Sequence, residues 1–361
     1  MRSPHRILRE RNLRSRLNKD GAQQALAMTW RQKHLREPLD EIEPGLDYWR
    51  DEIAWVIKGR GLASLGSYLG CARVGRRRPL SPDLRAKVWG FYIEYERRLR
   101  EADVWDFADL ILHAEAALEH TPCTEYSAVV IDEAQDLSAA MVRMLHRLVG
   151  DAPDGLNLIG DGQQSIYPGG YTLGEIGINI AGRGVVMNRN YRNTAEIAEF
   201  AASLVSGDEF TDIEGTVGSA DSAENNRRGG APLVRVFDDA DEHDEAVVDH
   251  VRGLLRAGVP AASIAILANA HQQIRSILPR LHAHTIRVVD LKDYDGSPID
   301  AIKTGTIKRA KGLEFTHVVI ARAPRNLTQQ TEKSTDRLAI EARQMFVAAT
   351  RARDGLWVGV V

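Results

Sequence analysis

After Thr124 the chain alternates short β-rich apolar runs with helical ones, and this limits the fold more than any other feature of its 361 residues. The strand candidates are YSAVVI, LNLIG, GVVMN, LVRVF, SIAILA, IRVVDL, AIKTGTI, HVVIAR and LWVGVV. Helical patterns fall at residues 138–149, 194–205, 241–257, 270–283 and 335–353. Alternation of this kind predicts α/β units around a mostly parallel sheet. Strands that are apolar nearly throughout suit a sheet covered on both faces. The polar, Gly- and Ser-rich stretch SGDEFTDIEGTVGSADSAENNRRGGAP reads as a long surface loop within this half.

Up to about Leu118 the pattern is helical instead. Val88, Phe91, Tyr92, Tyr95 and Leu99 recur at helical spacing, and Ser81-Pro82 supplies a cap and a first-turn proline. We read this aromatic stripe as core. Hydrophobic residues make up 43% of the chain, enough for two cores, and no apolar run reaches the length that crosses a bilayer. The basic start, MRSPHRILRERNLRSR, has no apolar segment behind it, so it is no secretory signal. Two distant cysteines, Cys71 and Cys123, form no metal-type pair and fit a reducing, cytoplasmic setting. Net charge is −3, and arginines cluster at the N-terminus and in CARVGRRRP. Such patches can meet phosphates, but a solvated surface is the simpler expectation.

In Val129–Asp136, VVIDEAQD, an apolar strand runs into two adjacent carboxylates, Asp132 and Glu133. Parallel sheets bind ligands at the carboxyl ends of their strands. Two acids there suit a Mg²⁺-nucleotide site, one holding the metal through water and the other orienting and deprotonating an attacking water. By itself such a pair is as readily a strand running into a capped helix. Further segments follow in order: GDGQQSIY from Gly160, NYRNT from Asn190, KGLEF from Lys311 and VAATRAR from Val347.

This ordered set resembles motifs II to VI of the UvrD/Rep family of superfamily 1 DNA helicases, over about Trp105 to Val361. The resemblance implies two RecA-like domains with parallel sheets, ATP and Mg²⁺ as cofactors, and single-stranded or tailed duplex DNA as partner. It implies translocation 3′ to 5′. Asp132 and Glu133 fall in the Walker B box. Gln164 matches the glutamine that couples the γ-phosphate to DNA contacts, and Arg192 and Arg351 match two arginines that reach that phosphate. Gly312 and Glu314 lie in the motif near the nucleotide, Glu314 by its sugar. Thr306, Arg309 and Lys311 are candidates for DNA phosphates, and Tyr167 for base stacking. Lys308 stands where the family commonly has histidine. The family's tryptophan platform after Tyr167 is absent, and Tyr171 is the substitute.

A phosphate-binding loop needs G-x-x-x-x-G-K-[ST], and these residues contain no Gly-Lys pair. In the family that loop precedes everything matched here. The expectation is a helicase lacking its first portion, poorly active alone, with a separately encoded N-terminal part as one source of the loop. Residues 1–118 would be a helical accessory insertion of an incomplete first RecA-like domain, 119–183 its remainder and 184–361 the second. Two other readings stay open: a non-hydrolysing DNA-binding or regulatory module, and an inactive fragment of a split gene.

Overall fold

The computed structural model describes residues 3–74, 76, 78–120, 126–151, 154–161, 164, 170–178, 183–185, 187, 189–206, 210–211, 217–218, 224–225, 227–325 and 336–361. The chain divides into two compact units, the first built on Met1–Ala181 and the second on Gly182–Phe210 with Val217–Val361. The fold is α/β with parallel sheets.

In the first unit helices α1 (Pro4–Glu10), α2 (Lys19–Trp30), α3 (Lys33–Asp40), α4 (Leu46–Asp51) and α5 (Leu65–Gly70) precede the long α6 (Pro82–Glu101) and α7 (Phe107–His120). Helix α6 starts as its sequence predicts: the Ser81 hydroxyl accepts from the Leu84 amide, and Pro82 opens the first turn. Its buried residues Val88, Phe91, Tyr95 and Leu99 pack with Trp49, Ile53 and Leu39 into one core. The aromatic stripe is therefore core. A second core gathers Ile7, Leu8, Leu110 and Ile111 around strand β1 (Val129–Ile131) and helix α8 (Ala139–His146). Strand β2 (Leu156–Leu158) lies parallel to β1, with Val129 opposite Leu156 and Ile131 opposite Leu158.

In the arginine cluster after Cys71, Arg73 and Arg76 do not lie on the solvated surface that charge alone suggests. Arg73 and Arg76 are buried on the fully buried Glu52. Arg73 donates from Nε to Glu52 Oε1 at 2.7 Å and from Nη2 to Oε2 at 2.8 Å, and Arg76 lies 3.2 Å from Oε2. Burial alone would push the Glu52 carboxyl up, but the hydrogen bond and charge of Arg73, with the charge of Arg76, hold it below the usual range. These cations hold the fold together and are not offered to phosphate.

The second unit holds a six-stranded sheet in the order β3-β8-β7-β4-β6-β5. Its members are β3 (Leu233–Val236), β4 (Ile264–Ala268), β5 (Val288–Asp290), β6 (Ile302–Thr306), β7 (Phe315–Ala323) and β8 (Ala352–Val360), all paired in parallel. All five residues of β4 are buried, as a strand covered on both faces requires. Helices α9 (Ala195–Leu204), α10 (Ala240–Arg256), α11 (His271–Ala283), α12 (Ile307–Ala310) and α13 (Asp336–Thr350) alternate with the strands. Val247 and Val251 of α10 and Ile274, Ile277 and Leu281 of α11 close the core over Ile266, Ile302, Val319 and Trp357.

Two expectations fail locally. The described residues of GVVMN lie in no strand: Val185 and Met187 are each 86% exposed, and the short strand that follows is Arg189–Asn190, paired with Glu224–Asn225. The last helix stops at Thr350, because Ala352 already pairs with Phe315 in the sheet.

Candidate functional site

The sequence-predicted residues fall into two groups, one in each unit. In the first, β1 and β2 continue their ladder past the strand ends: the Ile159 amide donates to the Ile131 carbonyl at 2.8 Å, and the Ala134 amide to the Ile159 carbonyl at 2.9 Å. That places Asp132 and Glu133 beside Asp161 at the carboxyl ends of adjacent parallel strands. Asp132 is exposed, with one carboxylate oxygen accepting from the Glu133 amide at 2.9 Å. Its other oxygen makes no hydrogen bond among the described residues. One open carboxylate at a strand end, with room for water, fits the sparse protein coordination that Mg²⁺ takes in nucleotide sites.

Glu133 takes a left-handed backbone, φ +54°, which a residue with a Cβ adopts only when its surroundings fix it. Its carboxylate is held by Gln135, to which no sequence signal assigns a role. Its amide nitrogen donates to Glu133 Oε2 at 2.5 Å, and its amide oxygen accepts from the Asp161 amide at 3.0 Å. Asp161 in turn accepts from Gln164 Nε2 at 2.9 Å. A continuous polar chain thus runs Glu133–Gln135–Asp161–Gln164, joining the DEAQ turn to the GDGQ turn. Gly160 leaves space for it: a Cβ there would stand 2.6 Å from the Gln135 amide oxygen.

The stacking residues fare differently. Tyr167 lies outside the described residues. Tyr171 is only 5% exposed, packs with Val142, Leu173 and Ile178, and donates its hydroxyl to the Ala134 carbonyl at 3.2 Å. As a substitute platform for bases it is overturned: the ring is core, and its hydroxyl braces the turn that carries Glu133. Burial also raises its pKa, so it stays a neutral donor.

In the second unit three segments converge. Arg192 lies 2.5 Å from Glu314 as an ion pair. The next residue, Phe315, donates its amide to the Arg351 carbonyl at 3.0 Å. Arg351 is 1% exposed, and its guanidinium donates to the Val347 carbonyl at 3.1 Å and the Thr350 hydroxyl at 3.3 Å, so it closes the end of α13. Two further residues hold the assembly. Asn193, 3% exposed, donates from its amide to the carbonyls of Thr350 at 3.0 Å and Ala352 at 2.5 Å, the residues on either side of Arg351. Arg227 donates to the Arg192 carbonyl at 2.6 Å and the Arg353 carbonyl at 3.3 Å, and pairs with Asp354. Arg227 comes from the stretch read as a surface loop, which is otherwise largely outside the described residues.

Strand β6 delivers Thr306 at its carboxyl end, at the N-cap position of the single turn of α12, where its hydroxyl makes no capping bond. Arg309 is exposed on that turn, and Thr306 and Lys311 are half-buried. Gly312 follows at φ +80°, the left-handed conformation that lets the chain reverse into β7.

Residues 75–175 match the profile of the UvrD/REP helicase N-terminal domain, and residues 289–361 that of the UvrD-like helicase C-terminal domain. Among curated relatives, the ATP-dependent DNA helicase UvrD2 of Mycobacterium tuberculosis is 27% identical over 238 residues, 62% of this chain and 33% of that protein. UvrD1 of the same organism is 35% identical over 142 residues, 35% of this chain and 18% of that protein. The putative ATP-dependent DNA helicase YjcD of Bacillus subtilis is 22% identical over 273 residues, 72% of this chain and 34% of that protein. The chain thus spans about a third or less of the length of these relatives. The C-terminal domain of a helicase-like protein from Lactobacillus plantarum covers 48% of this chain, which covers 88% of it, at 20% identity and a TM-score of 0.35. With two UvrD-type profiles matched in sequence order, and with UvrD1 and UvrD2 among its relatives, the chain belongs to the UvrD/Rep helicase family.

Proposed function

We propose that this chain carries the water-activating and charge-neutralising residues of an ATP-driven DNA translocase that moves 3′ to 5′ and unwinds duplex. The observation that carries this is the juxtaposition, at adjacent strand ends, of an open Asp132, a fixed Glu133 and the Asp161–Gln164 turn, linked through Gln135. Mg²⁺, when bound with ATP, neutralises charge on the phosphates. Asp132 would hold that ion through its open carboxylate oxygen. Glu133 orients the attacking water and takes its proton, and Gln135 holds that carboxylate in one direction. Arg192 meets the charge that builds on the departing phosphoryl group, a task for which a rigid guanidinium suits better than an ammonium, and Arg351 joins it once its guanidinium turns from the Val347 carbonyl and Thr350 hydroxyl. Glu314 orients Arg192 and, by resemblance to the family, would reach the sugar of a bound nucleotide. Gln164 relays the state of the phosphate to DNA held through Thr306, Arg309 and Lys311.

A second reading is a DNA-binding module without hydrolysis; the 361 residues taken by themselves carry no Gly-Lys pair to grip phosphates. The 361-residue polypeptide by itself is therefore expected to hydrolyse ATP slowly. A coupled assay with and without single-stranded DNA, using Glu133→Gln as background, checks this. Robust DNA-stimulated turnover abolished by Glu133→Gln would refute the expected weakness and strengthen the first reading over the second.

A further inference from the structure

Among the described residues strand β3 is the edge of the six-stranded sheet and pairs only with β8. It is short, apolar and open: Leu233 and Val234 are each 44% exposed and Val236 is 67% exposed. The Phe237 amide donates inward to the Val360 carbonyl. By strand alternation Leu233 and Arg235 also turn their backbone groups toward β8. Val234 and Val236 then turn theirs outward, where no partner among the described residues meets them. Such an edge accepts another strand unless something blocks it; Pro232 stands just before the strand, and Leu233–Phe237 hold neither proline nor bulge.

Beside the edge runs a groove of about 550 Å³. One wall is Leu233, Arg235 and Phe237, alternate residues and so one face of the strand. The other is a single helical stripe of α10, including Glu242, Glu245, Asp249 and His250, and Trp357 lies between. From Leu233 to Phe237 the strand spans roughly 13 Å at about 3.3 Å per residue. Five extended residues therefore match the groove's length. Three carboxylates face one guanidinium. Among the described residues Glu245 has no ion-pair partner, and Asp249 has only the exposed Arg252. His250 stacks on Trp357 at 5.7 Å, and burial, with His317 and Arg235 nearby, pushes its pKa down to about 4. At neutral pH it adds no positive charge.

We infer that this edge and groove form a docking site for an extended protein segment of alternating apolar and basic residues. The segment adds as a strand to β3, its backbone meeting Val234 and Val236. Its lysines or arginines turn to the α10 face and reach the acidic rim, and its apolar side chains turn to the opposite face beside the exposed Val234 and Val236. Backbone pairing supplies affinity and the rim selects charge. The net negative rim rejects nucleic acid, so this surface is separate from the DNA contacts proposed above.

The test uses the whole chain and two end-blocked octapeptides, alternating Val-Lys and alternating Val-Glu, titrated by fluorescence anisotropy. The Val-Lys peptide is expected to bind at least about tenfold more tightly and to slow amide exchange at Val234 and Val236. Val234→Pro removes an outward amide without breaking a bond to β8, and should weaken binding about tenfold at unchanged melting temperature. Should that variant fold poorly, Glu245→Lys with Asp249→Lys, on the exposed helix face, is expected to give the same loss. Equal binding of both peptides, or no binding, overturns the inference. So does a concentration-dependent dimer that Val234→Pro abolishes, which would make a second copy the occupant.

Discussion

Replacing Lys58 with methionine is expected to destabilise the first unit by about 3–5 kcal/mol, the range for stripping one partner from a buried ion pair. The side chain of Lys58 is 1% exposed, and its ammonium lies 2.5 Å from Glu96, 2.7 Å from Asp106 and 2.6 Å from Asp109. These three carboxylates are the one grouping among the described residues close enough to hold a metal, and the ammonium already fills it. Burial alone would lower the Lys58 pKa, but the charges of Asp106, Asp109 and Glu96 outweigh it, so the lysine stays charged. Methionine keeps the apolar stem and leaves three acids facing one another. Urea unfolding of the first unit reads the loss; a change under about 1 kcal/mol would contradict the account. The cluster also sets a pH dependence. Burial and the negative charge of Asp106 raise Asp109 to about 6 despite the pull of Lys58. A folded pKa above the unfolded one gives stability that is full below about 4 and lost as pH rises through 6. Thermal stability should therefore increase from pH 7 to pH 5, and Lys58→Met should cost less at pH 5.

The second large effect is expected at Asn193. Substitution by leucine removes one buried donor serving two carbonyls, those of Thr350 and Ala352, and puts a methyl-bearing chain against them. Each buried acceptor left without a donor costs about 1–3 kcal/mol, so the two together give an expected loss of about 2–6 kcal/mol in the second unit. The damage should reach Arg351, which lies between those carbonyls, and Arg192, which precedes Asn193. Arginine side-chain Nε–H resonances of both should shift or broaden in the variant. A stable Asn193→Leu protein with both resonances in place would show that the amide bridge does not hold the pair.

Much of this architecture is legible in the sequence, and the boundary of legibility is physical. Elements whose signal is local can be read directly: the Ser81-Pro82 start of α6, the buried runs of β4 and β7, and the carboxylates at the end of β1. GVVMN misleads because β propensity needs a neighbouring strand to become structure. The pattern of the last helix overruns its true end because residues 351–353 are sound helix formers, and only pairing with β7 commits Ala352 to the sheet. Arg73 and Arg76 look like surface charge because nothing in their spacing announces Glu52, 21 and 24 positions earlier. Gln135, Asn193 and Arg227 escape for the same reason. Their partners stand 26, 159 and 126 residues away, and no periodicity encodes a long-range hydrogen bond. Tyr171 shows the converse error, where chemical type suggests a surface role and burial gives it a packing one.

Single-stranded DNA titrated against the whole chain at several salt concentrations tests the central claim most directly, because it needs no turnover. The account predicts binding that weakens steeply as salt rises, as release of counterions from neutralised phosphates requires. Arg309→Glu with Lys311→Glu should weaken it across sequences and flatten the log–log slope by about 1 for each phosphate no longer neutralised. Absent binding, or binding indifferent to salt, would contradict the reading of this chain as part of a DNA motor.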